Sequence, residues 1–230
     1  RDWSSDVCSS DLEGADGSAH ARSIPIDKLL DDALLVYSSN GEMLRPENGY
    51  PLRMFIPGWE GNVSVKWLRR LKLGEEPWNL RSETARYTDP MPDGKWRQFS
   101  MEMEAKSVIT SPSGGMTIRP GIIEIQGFAW SGNGKVKTVD VTLDGGRSWR
   151  EARLEEPVMD KSLTRFRYEF KWDGSPMSIA SRVMDSTGYV QPTVDDIKKV
   201  RAIVGFVQHN NAIQPWAISS SGEVTNAQFG

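Results

Sequence analysis

The stretch from Tyr50 to Leu68 holds the residue types with the clearest capacity for chemistry. Tyr50-Pro51-Leu52-Arg53-Met54-Phe55-Ile56 reads as a strand carrying an arginine. Pro57-Gly58-Trp59-Glu60-Gly61 breaks it, and Ser64-Val65-Lys66-Trp67-Leu68 follows. Glycines let a bulky ligand approach the backbone, and fixed cations neutralise a phosphate. Taken alone, the pattern equally describes an arginine beside a surface turn. His20, in Ser18-Ala19-His20-Ala21-Arg22-Ser23-Ile24-Pro25, lies in a loop. An imidazole there either hydrogen-bonds a reacting oxygen and carries a proton near neutral pH, or is simply solvated. His209 reads as a surface or interface residue. The acidic doublets Asp31-Asp32, Glu75-Glu76, Glu155-Glu156 and Asp195-Asp196 supply no catalytic pair, because adjacent residues do not share a face. Gly132-Asn133-Gly134 and Asp144-Gly145-Gly146 read as hairpin turns, not phosphate loops. With two histidines and one cysteine, Cys8, no zinc or haem held by side chains of this chain is expected.

These residues need a scaffold. Residues 1–12, RDWSSDVCSSDL, lack periodicity and resemble a sequencing-adapter read-through, so they are set aside as a non-native artefact. What remains begins near Glu13 without methionine and reads as a fragment of a longer protein. It has no cysteine and carries 27 basic against 28 acidic residues. That near-neutral balance predicts no nucleic-acid or anionic-membrane partner. No apolar run approaches the roughly 20 residues of a membrane span.

Turn-rich Asp89-Pro90-Met91-Pro92-Asp93-Gly94 punctuates the chain, giving domains 13–98 and 99–230. In the first, Pro25 to Leu35 predicts a helix with Asp27 as N-cap and Leu29, Leu30, Ala33 and Leu34 on one face. Leu35 to Tyr37 and Leu52 to Ile56 read as strands, with a hairpin turn at Asn40-Gly41. Phe99, Met101 and Met103 alternate with polar residues and suggest a linking strand. In the second, Ile122–Phe128, Val136–Leu143, Phe166–Trp172 and Ile179–Asp185 are strand candidates. The first two read as an antiparallel pair across Ser131-Gly132-Asn133-Gly134. Phe166, Tyr168, Phe170 and Trp172 share one face, a clean period of two. Short strands between Gly/Pro/Asp turns predict an immunoglobulin-like β-sandwich without an inter-sheet disulfide.

Several words of this sequence resemble the sulfite oxidase family of molybdenum enzymes. Gly127-Phe128-Ala129-Trp130-Ser131-Gly132, Val139-Asp140-Val141-Thr142-Leu143-Asp144-Gly145-Gly146 and Gly188-Tyr189-Val190-Gln191-Pro192 resemble its C-terminal sandwich. Gly49-Tyr50-Pro51-Leu52-Arg53 and Val65-Lys66-Trp67-Leu68 resemble its molybdopterin-binding signature. The resemblance implies an α+β fold: the C-terminal half of a sulfite-oxidase-type molybdopterin domain, then an immunoglobulin-like β-sandwich dimerisation domain. It implies Mo-molybdopterin as cofactor, contacted by Asp16, Asn48, Arg53, Ser64, Val65 and Lys66. Asn48 departs from the family, where sulfite oxidases have a histidine; an amide donates but is not a cation. His20 stands in the place of the family's catalytic tyrosine, with Arg22 as a nearby cation. The molybdenum-ligating cysteine would lie upstream.

Other details, such as Pro57-Gly58-Trp59-Glu60-Gly61-Asn62 and Glu104-Ala105-Lys106-Ser107-Val108-Ile109-Thr110, look most like the molybdenum subunit of bacterial sulfane dehydrogenases. That branch implies a periplasmic enzyme oxidising sulfane sulfur on a carrier protein, homodimeric through its sandwich. Electrons would pass to a c-type cytochrome subunit that holds the only haem. The fragment would be inactive alone. A sulfite dehydrogenase acting on free sulfite is the alternative within the family, and a non-catalytic β-sandwich interaction module the alternative outside it.

Overall fold

The computed structural model describes residues 9–16, 20–201 and 210–228. The chain divides into two compact units, one ending at Glu102 and one starting at Met103, a few residues past the boundary expected from the turn-rich stretch.

In chain order the first unit contains β1 (Ser9–Gly14), β2 (Ala21–Pro25), α1 (Ile26–Asp31), β3 (Leu34–Val36), β4 (Ser38–Ser39) and β5 (Glu42–Met43). It continues with β6 (Arg53–Phe55), β7 (Leu68–Gly74), α2 (Arg81–Ala85), β8 (Asp89–Pro90) and β9 (Trp96–Arg97). β1 is the middle strand of an antiparallel sheet ordered β2-β1-β7, and Leu12, opposite both Arg22 and Leu71, is wholly buried. Residues 9–12, set aside in the sequence, thus take part in this sheet. Ladder hydrogen bonds join backbones and place little demand on side-chain identity, so the absence of periodicity there does not prevent pairing. Leu12 packs with Ile24, Met54, Ile56, Val63, Val65 and Met101 in the core of this unit.

Two local expectations change. The helix spans Ile26–Asp31, not Pro25–Leu35; Pro25, not Asp27, is its N-cap, and Asp32 is its C-cap. Leu34 to Val36 leave it to pair with Phe55 to Arg53 in β3–β6. Six residues are too few to be stable by helix propensity, so the ladder wins. The alternation from Phe99 to Met103 does not form a strand. Phe99 has φ 59°, which no strand accommodates, and Glu102 makes only an isolated bridge with Trp59. The turn at Asn40-Gly41 is present, both residues at positive φ, joining β4 to β5.

The second unit contains β10 (Lys106–Ser111), β11 (Gly121–Trp130), β12 (Val136–Thr142), β13 (Arg150–Glu151), β14 (Arg153–Leu154), β15 (Thr164–Trp172), β16 (Met177–Asp185), α3 (Val194–Val200), β17 (Trp216–Ile218) and β18 (Val224–Asn226). They form a sandwich of two sheets, ordered β10-β11-β15-β14 and β13-β12-β16-β17-β18. Ile125, Ala129, Phe166 and Trp172 from one sheet meet Val139, Val141, Ile179, Val183 and Ile218 from the other in a shared core. β15 keeps its alternation: Phe166 and Trp172 are buried, while Arg165, Glu169 and Lys171 are exposed.

β11 and β12 are not the antiparallel pair that the sequence suggests. They belong to different sheets, and Ser131–Gly134 is a crossover. Its contacts explain this. Ser131 Oγ donates to Asp185 Oδ2 at 2.7 Å, and Lys135 N donates to Ser186 Oγ at 3.2 Å. A Cβ on Gly134 would lie 2.3 Å from Ser186 Oγ. The turn is therefore bound to the end of β16, and β16 takes β12 as its ladder partner.

Candidate active site

The first unit holds a cleft of about 220 Å³ lined by Asp16, His20, Gly61, Asn62, Ser64, Lys66, Trp67 and Tyr87. Its floor is built by two facing segments. Met54 N donates to Val65 O (2.9 Å), Leu68 N to Leu52 O (2.8 Å) and Ile56 N to Ser64 Oγ (3.1 Å). This antiparallel pairing sets Arg53 opposite Lys66. The loop carrying Asn48 docks on the same segment. Lys66 Nζ donates to Glu47 O (2.7 Å) and Trp67 Nε1 to Pro46 O (2.9 Å). Gly49, at φ 105°, allows that approach: a Cβ there would sit 2.9 Å from Lys66 Cβ. Gly14 is similarly constrained, since its Cβ would lie 2.7 Å from Lys66 O.

The candidates Asp16, His20, Ser64 and Lys66 are therefore brought together. Asp16 Oδ1 accepts from His20 N at 2.8 Å. Arg53 and Asn48 adjoin the Lys66 segment without lining the cleft. The buried Nε of Arg53 has no hydrogen-bond partner among the described residues. Val65 is placed elsewhere: its side chain is in the core, its carbonyl accepts from Met54 and its N–H donates to Val63 O. Neither its N–H nor its side chain is left to hold a ligand.

Arg22 is also placed away from the cleft lining. It is fully buried, with Nε 3.2 Å from Glu83 Oε1, and Glu83 is equally buried on α2. Glu83 Oε1 also accepts from Ser23 N at 3.0 Å. Burial pushes the Glu83 carboxyl up, against the opposing charge of Arg22, and pushes the Arg22 guanidinium down. Nη1 and Nη2 of Arg22 have no hydrogen-bond partner among the described residues. Its guanidinium instead stacks on Tyr87, 4.9 Å from the ring centroid. The carboxylate of Glu13, at the end of β1, is clamped by Arg69 and Arg70 of β7 and held below its usual range, chiefly by the hydrogen bond from Arg69.

His20 is held at both ring nitrogens. Nε2 lies 2.8 Å from Asn62 O and Nδ1 3.4 Å from Ser82 Oγ. A carbonyl only accepts, so Nε2 carries the proton and Nδ1 accepts from Ser82. The sequence reading missed Asn62, Ser82, Glu83 and Tyr87. Ser82 to Tyr87 shows no periodicity or motif, and only the distance from α2 to β2 reveals them. Among the described residues no group of three or more His, Cys, Asp or Glu side chains is arranged to hold a metal ion. His209 lies outside the described residues.

Comparison with known proteins decides what the two units are. Residues 5–81 match the model for an oxidoreductase molybdopterin binding domain, and residues 97–215 that for a Mo-co oxidoreductase dimerisation domain. The chain belongs to the sulfite oxidase family. Its cofactor is accordingly Mo-molybdopterin. Mitochondrial sulfite oxidase of Rattus norvegicus is 31% identical over 93% of this chain and 43% of its own length. Sulfite oxidase of Gallus gallus is 32% identical over 88% of this chain and 48% of its own length. The crystal structure of the sulfane dehydrogenase SoxCD from Paracoccus pantotrophus superposes with a TM-score of 0.92 at 48% identity. That match covers 97% of this chain and 58% of the matched one. The chain thus spans under half the length of these two curated relatives.

The residues present fit such a cofactor. A buried guanidinium nitrogen on Arg53 with no hydrogen-bond partner among the described residues, and the Lys66 ammonium in the cleft lining, each suit an anionic group. The Asp16 carboxylate suits the N–H groups of a pterin, and the Ser64 hydroxyl a polar edge.

Proposed function

We propose that the protein is the molybdenum subunit of a periplasmic sulfane dehydrogenase, oxidising sulfane sulfur on a carrier protein. Electrons pass to the haem of a c-type cytochrome subunit, and the sandwich joins two copies. The observation that carries this reading is the likeness to SoxCD: 48% identity over nearly the whole chain, against 31–32% for the two sulfite oxidases above. Oxidation of free sulfite is the second reading, favoured by those same sulfite oxidases.

When bound, the cofactor supplies oxygen-atom and two-electron chemistry. The chain's own residues do the rest. Lys66 and Arg53 hold its anionic end, Asp16 and Ser64 orient its polar edge, and Asn48 donates from the loop that Gly49 seats on Lys66. Arg22 and Glu83 fix the wall of the cleft from behind.

The full-length protein tests this. Molybdenum near one per chain is expected, with cytochrome reduction by carrier-bound sulfane and not by free sulfite. Turnover of free sulfite would move the assignment to sulfite dehydrogenase. Arg53→Ala and Lys66→Ala should each lower molybdopterin content; unchanged content in both would remove these residues from the site.

A further inference from the structure

We propose that His20 is a positioning residue and not the proton carrier that its place in the sequence suggests: its ring ties the turn Gly61–Val63 to α2 and so holds the shape of the cofactor cleft. This rests on the molybdopterin reading above and assigns one cleft residue its work within it.

Three segments of the first unit converge on His20, which is itself half-buried. From the connection between β1 and β2, Asp16 Oδ1 accepts from His20 N at 2.8 Å. From the turn Gly61–Val63, Asn62 O accepts from Nε2 at 2.8 Å. From α2, Ser82 Oγ meets Nδ1 at the longer distance of 3.4 Å. The ring of Tyr87, just past α2, meets the imidazole edge-on, with centroids 6.3 Å apart at 77°. The turn and the helix are each anchored on their own side. Glu60 N donates to Met101 O at 2.7 Å and Val63 N to Glu60 O at 3.0 Å, which seats the turn. Glu83 accepts from Ser23 N and pairs with Arg22, which seats α2 on β2. His20 is the link between these two sides, and it also holds Asp16 by its main chain.

A proton carrier needs a ring nitrogen open to the reacting group. Nε2 gives its proton to a carbonyl oxygen, which only accepts. Nδ1 faces the hydroxyl of Ser82, a buried residue, so a second proton taken up there would be donated to Ser82 and not to a ligand. The other titratable groups around the ring are Asp16 and Lys66 in the cleft lining, Tyr87 beside it, and Glu83 paired with Arg22 behind. Among the described residues none of them hydrogen-bonds a ring nitrogen of His20. The imidazole has a donor and an acceptor placed for two protein partners on opposite sides, which is the chemistry of a cross-brace.

The test compares His20→Ala and His20→Gln with the parent in the full-length holoprotein. Glutamine keeps one donor and one acceptor at its tip and cannot titrate near neutral pH; alanine keeps neither. The main-chain bond to Asp16 survives in both. Molybdopterin content should fall about 10-fold in His20→Ala, the loss for two neutral hydrogen bonds, and His20→Gln should restore most of it. In His20→Gln the limbs of the pH profile of kcat/KM should match the parent's, with turnover falling only as far as molybdopterin content falls. Full content in His20→Ala overturns the proposal, as does a His20→Gln protein as depleted as His20→Ala. Full content in His20→Gln with a lost pH limb and kcat down about 100-fold or more makes His20 the proton carrier. A parent protein lacking molybdopterin would end the molybdopterin reading and leave the brace to hydrogen exchange. Amides of Gly61–Val63 and Arg81–Ala85 that open about 10-fold faster in His20→Ala, but not in His20→Gln, support the proposal, and equal rates refute it. If His20→Ala does not fold, Ser82→Ala, which releases Nδ1 alone, takes its place: partial loss of molybdopterin supports the proposal, and full content overturns it.

Discussion

Replacing Glu83 with glutamine separates the charge of the Arg22–Glu83 pair from its shape. The pair is fully buried with Nε and Oε1 3.2 Å apart. At an effective dielectric of about 20, that separation corresponds to roughly 5 kcal/mol of attraction, largely offset by removing both ions from water. In Glu83→Gln the amide oxygen still accepts from Ser23 N, so the β2 contact survives. Arg22 is left charged and buried without its counter-ion, at an expected cost of about 3–5 kcal/mol. Arg22→Met alone strands the carboxylate, with a similar loss. The double variant strands neither charge and should recover to within about 1–2 kcal/mol of the parent. Hydrogen exchange at Ala21–Pro25 and Arg81–Ala85 reads the opening free energy of this unit, and β11 and β16 serve as internal controls in the other. A Glu83→Gln cost below about 1 kcal/mol would refute the reasoning, as would a double variant no more stable than the single ones.

Three further outcomes are expected. Gly49→Ala puts a Cβ 2.9 Å from Lys66 Cβ at φ 105°, so Lys66 must move; molybdopterin content of the purified full-length protein should fall while sandwich exchange rates stay constant. Gly127→Ala places a Cβ 2.3 Å from both Phe166 Cζ and the Val108 carbonyl oxygen, and urea unfolding should show about 3 kcal/mol lost from the sandwich. Asp144 is held well below the usual carboxylate range, first by the Ser148 hydroxyl, then by Ser148 N and the Thr142 hydroxyl. A depressed folded value stabilises the native state above the ordinary pKa of about 3.9, and that stability is lost as pH falls through the folded value. Asp144→Asn cannot titrate, so its melting temperature should drop less than the parent's between about pH 6 and pH 2; an equal drop would contradict the assignment.

The sandwich was legible because its strands carry their burial in their own spacing. Phe166 to Trp172 alternates with charges, and the structure buries the face that the period of two marks. Partnership was not legible. Gly132-Asn133-Gly134 announces a change of direction, but whether β11 pairs with β12 depends on Ser131 and Lys135 finding Asp185 and Ser186 at the end of β16. The last strands, β17 and β18, are three residues each, too short for a period to register. Ser64 and Lys66, which line the cleft, and Arg53, which adjoins it, were singled out through words of sequence. Glu83 and Tyr87 escaped because the pairing of Arg22 with Glu83 is a fact of tertiary distance. The helix that ends at Asp31 shows the same priority, since leucines suited to a helix entered a ladder once Phe55 and Met54 offered one.

The order β2-β1-β7 sets a timetable for synthesis. β1 gains one neighbour almost at once, from Ala21–Pro25, but its other edge waits for Leu68–Gly74. At about 5–20 residues per second, the ribosome takes roughly 3–10 s to deliver that second neighbour. During that interval the nascent chain carries an open strand edge able to pair with any extended segment nearby. Asp16 and His20 lie in the connection from β1 to β2, and Asn62, Ser64 and Lys66 just ahead of β7, so the cleft takes shape as the edge closes. Anything that binds the closed cleft also stabilises the paired edge, by RT ln(1 + [L]/Kd). Supply of the cofactor therefore becomes a determinant of how much of the newly made chain escapes aggregation.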